Sequence, residues 1–228
     1  MRKYLMEISM ACLLLLCFYF LSREAAMVSR DSGGMSGEKT IVVDAGHGGN
    51  DPGMVADGLE EKKINLSISM KLKEMLEEKG FKVVLTRETD EGLYDENANN
   101  KKAQDLQRRI ALISEVNPLL TVSIHQNSYH DPSVSGPQVF YYADSAQGQR
   151  LAEALQDSLN EGLAVENSRK PKGNTSYYLL KRSPGVLNIV ECGFMTNADD
   201  AALLQTEEYQ SMIAKAIADG ICSYLGES

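Results

Sequence analysis

Residues 40–53 read TIVVDAGHGGNDPG. Residues 40–44 are a short β-branched run, the mark of a buried strand. The run gives way to a glycine-rich loop that carries one histidine, His47. A strand that ends in such a loop is where an open α/β sheet presents chemistry, because ligands bind beyond the carboxyl ends of its strands. The loop could cradle a dinucleotide, but that fingerprint needs a third glycine where Asp51 stands. The glycines are better read as room around a histidine that must reach a bound ion.

Two further strands end the same way. LLTVSI (119–124) runs straight into His125, and VLNIV (186–190) into Glu191. If these strands are parallel, His47, His125 and Glu191 arrive at one rim of the sheet. Between them lies a helical pattern with Ile64, Ile68, Leu72, Met75 and Leu76 on one face, ended by Lys79-Gly80. Asp57 followed by Glu60 resembles a capping box for this helix. Residues 81–86, 138–142 and 177–180 read as further strands, and 100–116, 146–161 and 207–225 as helices. The alternation predicts an α/β fold: a single domain over residues 40–228, with a mostly parallel twisted sheet and helices on both faces.

Composition agrees with one globular domain. Of 228 residues, 43% are apolar and 24% charged, which excludes a disordered chain. The net charge of −9 argues against nucleic acid as a partner, since phosphate contacts supply most of that affinity. Ahead of the domain, Arg2 and Lys3 precede an apolar run over 10–21. The run is the length of a signal-peptide core and short for a membrane span. Residues 1–24 are therefore expected to be a signal peptide or a signal anchor, and residues 25–39, rich in Gly and Ser, a flexible linker. The domain is expected to be exported, with the membrane touched only through the N-terminal segment. Cys12 and Cys17 fall in the leader, Cys192 and Cys222 in the domain, so no disulfide framework is implied.

The chain has three histidines. His130, in a polar loop, reads as a surface residue. His47 and His125, both at strand ends, read as metal ligands. A carboxylate from the start of the first helix, Glu60 or Glu61, could complete a His–Glu–His set, which suits a zinc ion that keeps a fourth position open. Glu191 ends an apolar strand, where a carboxylate is costly unless it is paired or functional. It could pair with Arg87 or Arg109, or act as a general base. Cys192 could serve as a nucleophile with His125, but neighbours in a strand face opposite ways, and the glutamate is the reading taken.

These residues lie in strings that resemble a known family. VDAGHGG-DPG (43–53), EKKINL (61–66), LTR (85–87), RIALI (109–113), SIHQNS (123–128) and VECGFMTN (190–197) are similar to the zinc-dependent N-acetylmuramoyl-L-alanine amidases of bacterial cell walls, of the amidase 3 type. The resemblance runs in order from residue 41 to the C-terminus. It implies one zinc ion on His47, Glu61 and His125, with Glu191 as the catalytic carboxylate. It is the resemblance that selects Glu61 over Glu60. Asn127 and Ser128, just past His125, are expected to contact substrate.

The implied reaction is hydrolysis of the amide between N-acetylmuramic acid and the L-alanine of the stem peptide. The chain departs from many members in having Gln126 where they have alanine. Several cell-division members carry a long helical insertion that blocks the site. Here residues 88–100 are short and polar, so such self-inhibition is not expected. The compact form, SIHQNS, NTSYYLLK (174–181) and the N-terminal segment are most similar to the germination-specific amidases of spore-forming bacteria. That subgroup implies action on spore cortex as a step toward muramic-δ-lactam, and leaves room for a regulatory or activating protein partner. Two other readings are a metal-free glycosidase using Glu61 and Glu191, and a wall-binding or scaffold domain with a degenerate, partner-dependent site.

Overall fold

The computed structural model describes residues 39–166 and 168–227. The expected leader, and the linker up to residue 38, lie outside them. In chain order the elements begin with β1 (Thr40–Ala45), the short strands β2 (Val55–Ala56) and β3 (Leu59–Glu60), α1 (Glu61–Glu78) and β4 (Lys82–Leu85). They continue with α2 (Lys101–Val116), β5 (Leu120–Asn127), β6 (Gln138–Tyr142), α3 (Ala146–Gly162) and β7 (Lys172–Asn174). The last are α4 (Tyr178–Arg182), β8 (Leu187–Phe194), α5 (Ala198–Leu204) and α6 (Glu207–Leu225). Among the described residues no helix is long and apolar enough to cross a membrane.

The main sheet runs β4-β1-β5-β8-β6-β7. The four strands β4, β1, β5 and β8 are parallel, as expected from their unbroken apolar runs. β6 turns antiparallel to β8, and β7 runs parallel to β6. Strand alternation divides the side chains into two layers. Ile41, Val43, Val122, Ile124, Val190 and Cys192 meet α1, α3 and α6 through Ile68, Leu72, Leu155, Ile217 and Ile221. Val42, Leu187 and Ile189 turn the other way and meet Ile113 of α2 and Leu179 and Leu180 of α4. Helices thus cover both faces.

Three local expectations are corrected. Residues 177–180 are not a strand: Tyr177 is the cap residue of α4 and 178–180 lie in the helix. Leu179 and Leu180 are neighbours, yet both bury in the same layer, which a helical turn allows and a strand's alternation forbids. Asn174 starts this turn by accepting from the Ser176 and Tyr177 amides. Secondly, Asp57 does not cap α1. Asp57 and Gly58 both have positive φ (48° and 82°) and make the two-residue loop between β2 and β3. Asp-Gly is a strong hairpin signal that the sequence reading passed over. Glu60 is the cap residue itself and makes no side-chain capping bond. Thirdly, α5 was not anticipated, although Asn197 caps it at the Asp200 amide with two acids in the first turn.

Candidate active site and metal centre

The carboxyl ends of β1, β5 and β8 open into a cleft of about 460 Å³ on the α2 and α4 side of the sheet. α2 supplies one wall with Lys102, Asp105 and Leu106, and the start of α4 the other with Tyr177 and Tyr178. His47, Glu61, His125 and Glu191 all line it.

Each arrives for a local reason. His47 sits in the loop after β1 with φ +61°, in the left-handed region that a side-chain-bearing residue rarely adopts. Glu61 is the first residue of α1, held by the backbone bond from its amide to Met54 O. His125 is near the end of β5, where a register irregularity between His125 and Asn127 marks a bulge. Glu191 is its partner on β8.

The donor atoms converge. Glu61 Oε1 lies 3.0 Å from His125 Nδ1 and 3.2 Å from His47 Nε2. One donor atom from each of the three residues lies within 4.8 Å of the others. The second oxygen of Glu61 accepts from the Met54 amide at 2.8 Å, and Oε1 also accepts from the Gln126 amide and Asn65 Nδ2. Asn65 is bridged in turn to Gly46 O and to the Gln126 side chain. Asp51 accepts from His47 Nδ1 at 3.0 Å, which turns Nε2 toward the cleft.

Two glycines make this convergence possible. A Cβ on Gly46 would lie 2.7 Å from His125 Nδ1, and closer still to the rest of that ring edge. A Cβ on Gly53 would lie 2.7 Å from His47 Cδ2 and would overlap the Glu61 carboxylate. The donor set of two imidazole nitrogens and one carboxylate oxygen, open to a cleft on one side, fits a single zinc ion.

The imidazoles and carboxylates of the site act strongly on one another. Burial lowers the affinity of His47 for a proton, but hydrogen bonds to Asp51 and Glu61 outweigh it and raise the imidazole to about 9. Burial raises Glu61, yet His125 and His47 hold it well below the usual carboxylate range. Glu191 differs. Only 8% exposed, it is pushed up by burial to about 7; His125 opposes the rise and Glu61 adds to it. Its Oε2 has no hydrogen-bond partner in the described structure.

The expected alternatives for Glu191 do not form. Arg87 donates to Ala45 O, Gly46 O, Thr89 O and Lys62 O, and Arg109 pairs with Asp44 and Asp105. Cys192 is fully buried in the opposite layer, with burial pushing its thiol up, and takes no part in the cleft. Asn127 and Ser128 line the cleft, joined by a 2.8 Å bond from the Ser128 amide to Asn127 Oδ1. His130 is exposed, its ring against Tyr129. Glu60 faces outward and pairs with Lys63.

One network was not foreseen. Asp44, 1% exposed, accepts from Thr86, Ser123 and Arg109. Burial raises its carboxyl, but Arg109, Ser123, His125 and Thr86 bring it down to about 2. An acid ending the apolar run IVVD was the available signal, by the same reasoning applied to Glu191.

A three-layer α/β domain that gathers two histidines and a carboxylate beside a second, desolvated carboxylate belongs to the class of hydrolases that act on a polarised carbonyl. The sequence places it within that class. The chain belongs to the N-acetylmuramoyl-L-alanine amidase family, whose model matches residues 41–223. It is 37% identical over 194 residues to the germination-specific N-acetylmuramoyl-L-alanine amidase of Bacillus subtilis (strain 168), covering 83% of this chain and 81% of that one. Among solved structures it is similar to the CwlD amidase of Clostridioides difficile in complex with the GerS lipoprotein. That similarity has a TM-score of 0.80 at 39% identity and covers 83% of this chain and 99% of the other. It is also similar to the amidase AmiC2 of Nostoc punctiforme, with a TM-score of 0.73 at 34% identity, covering 85% of this chain and all of that one. The chain is thus a peptidoglycan amidase acting on the N-acetylmuramoyl-L-alanine linkage.

Proposed function

We propose that the chain is a zinc-dependent amidase, that His47, Glu61 and His125 hold its one zinc ion, and that Glu191 is its catalytic base. The observation that carries this reading is the convergence of those three donors beside a buried carboxylate with a free oxygen. When bound, zinc supplies Lewis acidity to an amide carbonyl and to water. The rest falls to the chain. Glu191 Oε2 takes a proton from the attacking water and hands it to the departing alanine nitrogen. Burial raises the Glu191 carboxyl, the direction that suits a group which takes and returns a proton. Asp51 keeps His47 in one orientation, and Asn65 with the Gln126 amide keeps Glu61 in another. Asn127, Ser128 and Tyr177 line the groove in which substrate is held.

The substrate is taken to be spore cortex peptidoglycan, with stem-peptide removal as a step toward muramic-δ-lactam. The similarity to a germination-specific amidase supports this. The N-terminal segment, residues 1–24, exports the domain as a signal peptide or anchor, and residues 25–39 tether it. A relative captured with a lipoprotein supports a protein partner for this chain too. Residues 88–100 form no helix over the cleft, so restraint by a built-in plug is not part of the reading.

One experiment tests the assignment. Purified protein is analysed for metal, and digested peptidoglycan is examined by mass spectrometry before and after EDTA. Expected are one zinc per chain, free L-alanine amino termini on stem peptides, and loss of both with EDTA. Activity that survives metal removal would sink the zinc reading and favour a metal-free carboxylate mechanism; glycan-chain cleavage would point to a glycosidase.

A further inference from the structure

We propose that Arg109 is a positioning residue for the metal centre: it clamps the backbone of His47 so that the imidazole is held over the cleft. The proposal rests on reading His47, Glu61 and His125 as zinc ligands, and it adds a residue from a different element, α2.

His47 needs such a clamp. Its φ of +61° is an uncommon conformation for a residue with a β-carbon and carries a cost unless its surroundings hold it. Asp51 fixes the ring, and its backbone pairs with Gly48 on the far side of His47, but neither bond reaches the His47 carbonyl. The His47 carbonyl is fixed from α2, which walls the same cleft. Arg109 Nη2 donates to His47 O at 2.6 Å, and Nη1 donates to Ala45 O at 2.8 Å and to Asp44 Oδ1 at 2.5 Å. Its Nε donates to Asp105 Oδ2 at 2.5 Å. One planar group therefore spans the end of β1, the loop and α2.

The guanidinium is itself held. It is 2% exposed, and its partner Asp44 is fastened by Ser123 and Thr86. Arg87 takes the remaining loop carbonyl, Gly46 O, and shares Ala45 O. Carbonyls 45, 46 and 47 are thus all gripped by arginine: the two residues that lead into the ligand, and the ligand itself. A lysine at 109 would keep the charge but could not hold these four acceptors with one planar group. A buried ion pair alone is weak evidence for a purely stabilising role. The bond to His47 O is what such a role leaves unexplained.

The test uses the full chain, purified in detergent, with Arg109→Lys. Expected is a folded protein by circular dichroism whose zinc affinity, measured by chelator competition, is at least tenfold weaker. The visible spectrum of its cobalt(II) form is also expected to change, because the ligand geometry has moved. A folded variant with wild-type zinc affinity and an unchanged cobalt spectrum overturns the proposal. If Arg109→Lys does not fold, Asp105→Asn takes its place: it weakens the Nε end of the clamp, and its Oδ1 can still accept from the Leu93 amide. Zinc binding several-fold weaker is then expected, and undiminished binding in that folded variant overturns the proposal. Failure of the underlying reading looks different: His47→Ala would bind zinc as tightly as wild type.

Discussion

His125 and Glu191 face each other as Cα partners across the parallel pairing of β5 with β8. Adjacent strands of a sheet hold such partners at a fixed separation, so the spacing of the two residues is set by backbone hydrogen bonds rather than by side-chain packing. The sheet thereby fixes His125 relative to Glu191, while His47 comes from the loop after β1 and Glu61 from the start of α1.

That rigidity separates chemistry from metal binding at Glu191. Glu191→Gln keeps the shape and removes the proton carrier. Its kcat is expected to fall roughly 10²–10⁴-fold, the usual worth of a general acid–base, with zinc content unchanged. The same variant is expected to melt a few degrees higher, because a buried carboxylate without a partner is removed. Calorimetry beside single-turnover kinetics checks both. A variant that released stem peptides at near wild-type rate would refute the role.

Asp44 makes stability depend on acid pH. Its folded pKa, about 2, lies below the ordinary 3.8, so the folded state binds the proton less readily than the unfolded. The contribution is full above pH ~4 and is lost as pH falls through about 2. It amounts to about 2 kcal/mol. Urea titrations of wild type and Asp44→Asn should diverge at pH 6, where the variant strands Arg109 without its anion, and converge toward pH 2. A constant difference across that range would show that Asp44 is not the titrating group.

Much of the fold and the site was legible in the sequence, and the exceptions share a cause. Long apolar strands announced themselves, as did the residues at their ends: His125 after LTVSI and Glu191 after LNIV need no tertiary knowledge to be found. Glu61 was not separable from Glu60 by local pattern, because both acids suit a helix start. Only the fold shows that Glu60 turns to Lys63 while Glu61 enters the cleft. The Asp44–Arg109 pair spans 65 positions and joins β1 to α2, a pairing that no local periodicity carries. The turn into α4 was misread because Tyr177 and Tyr178 favour strands locally, whereas the burial of Leu179 and Leu180 in one layer decides the helix.

Gly46 offers a steric test of the ligand cradle. Its φ is not in the left-handed region, so alanine there strains no backbone. The only penalty is the collision with the His125 ring at 2.7 Å and closer. Gly46→Ala is therefore expected to fold, and to lose most of its zinc because His125 must rotate away. Activity should fall by at least about 10²-fold, the cost of displacing a reacting group by an ångström. Metal analysis and circular dichroism on the same sample check this. Full zinc occupancy in a folded Gly46→Ala would mean that His125 is not a ligand.

Tyr177 tests which wall of the cleft binds substrate. Its ring packs on Phe140 with centroids 5.4 Å apart, and the residue lines the groove. It remains 37% exposed beside the base. A braced aromatic contributes about 0.5–1.5 kcal/mol of contact beyond its buried area. Because that contact is present before and during the reaction alike, its loss should weaken ground state and transition state equally. Tyr177→Ala is thus expected to raise KM roughly 3–10-fold with kcat nearly unchanged. Tyr177→Phe should stay close to wild type. If Tyr177→Phe instead lowers kcat, the hydroxyl serves the transition state, and the residue belongs with Glu191 in the chemistry rather than with the groove.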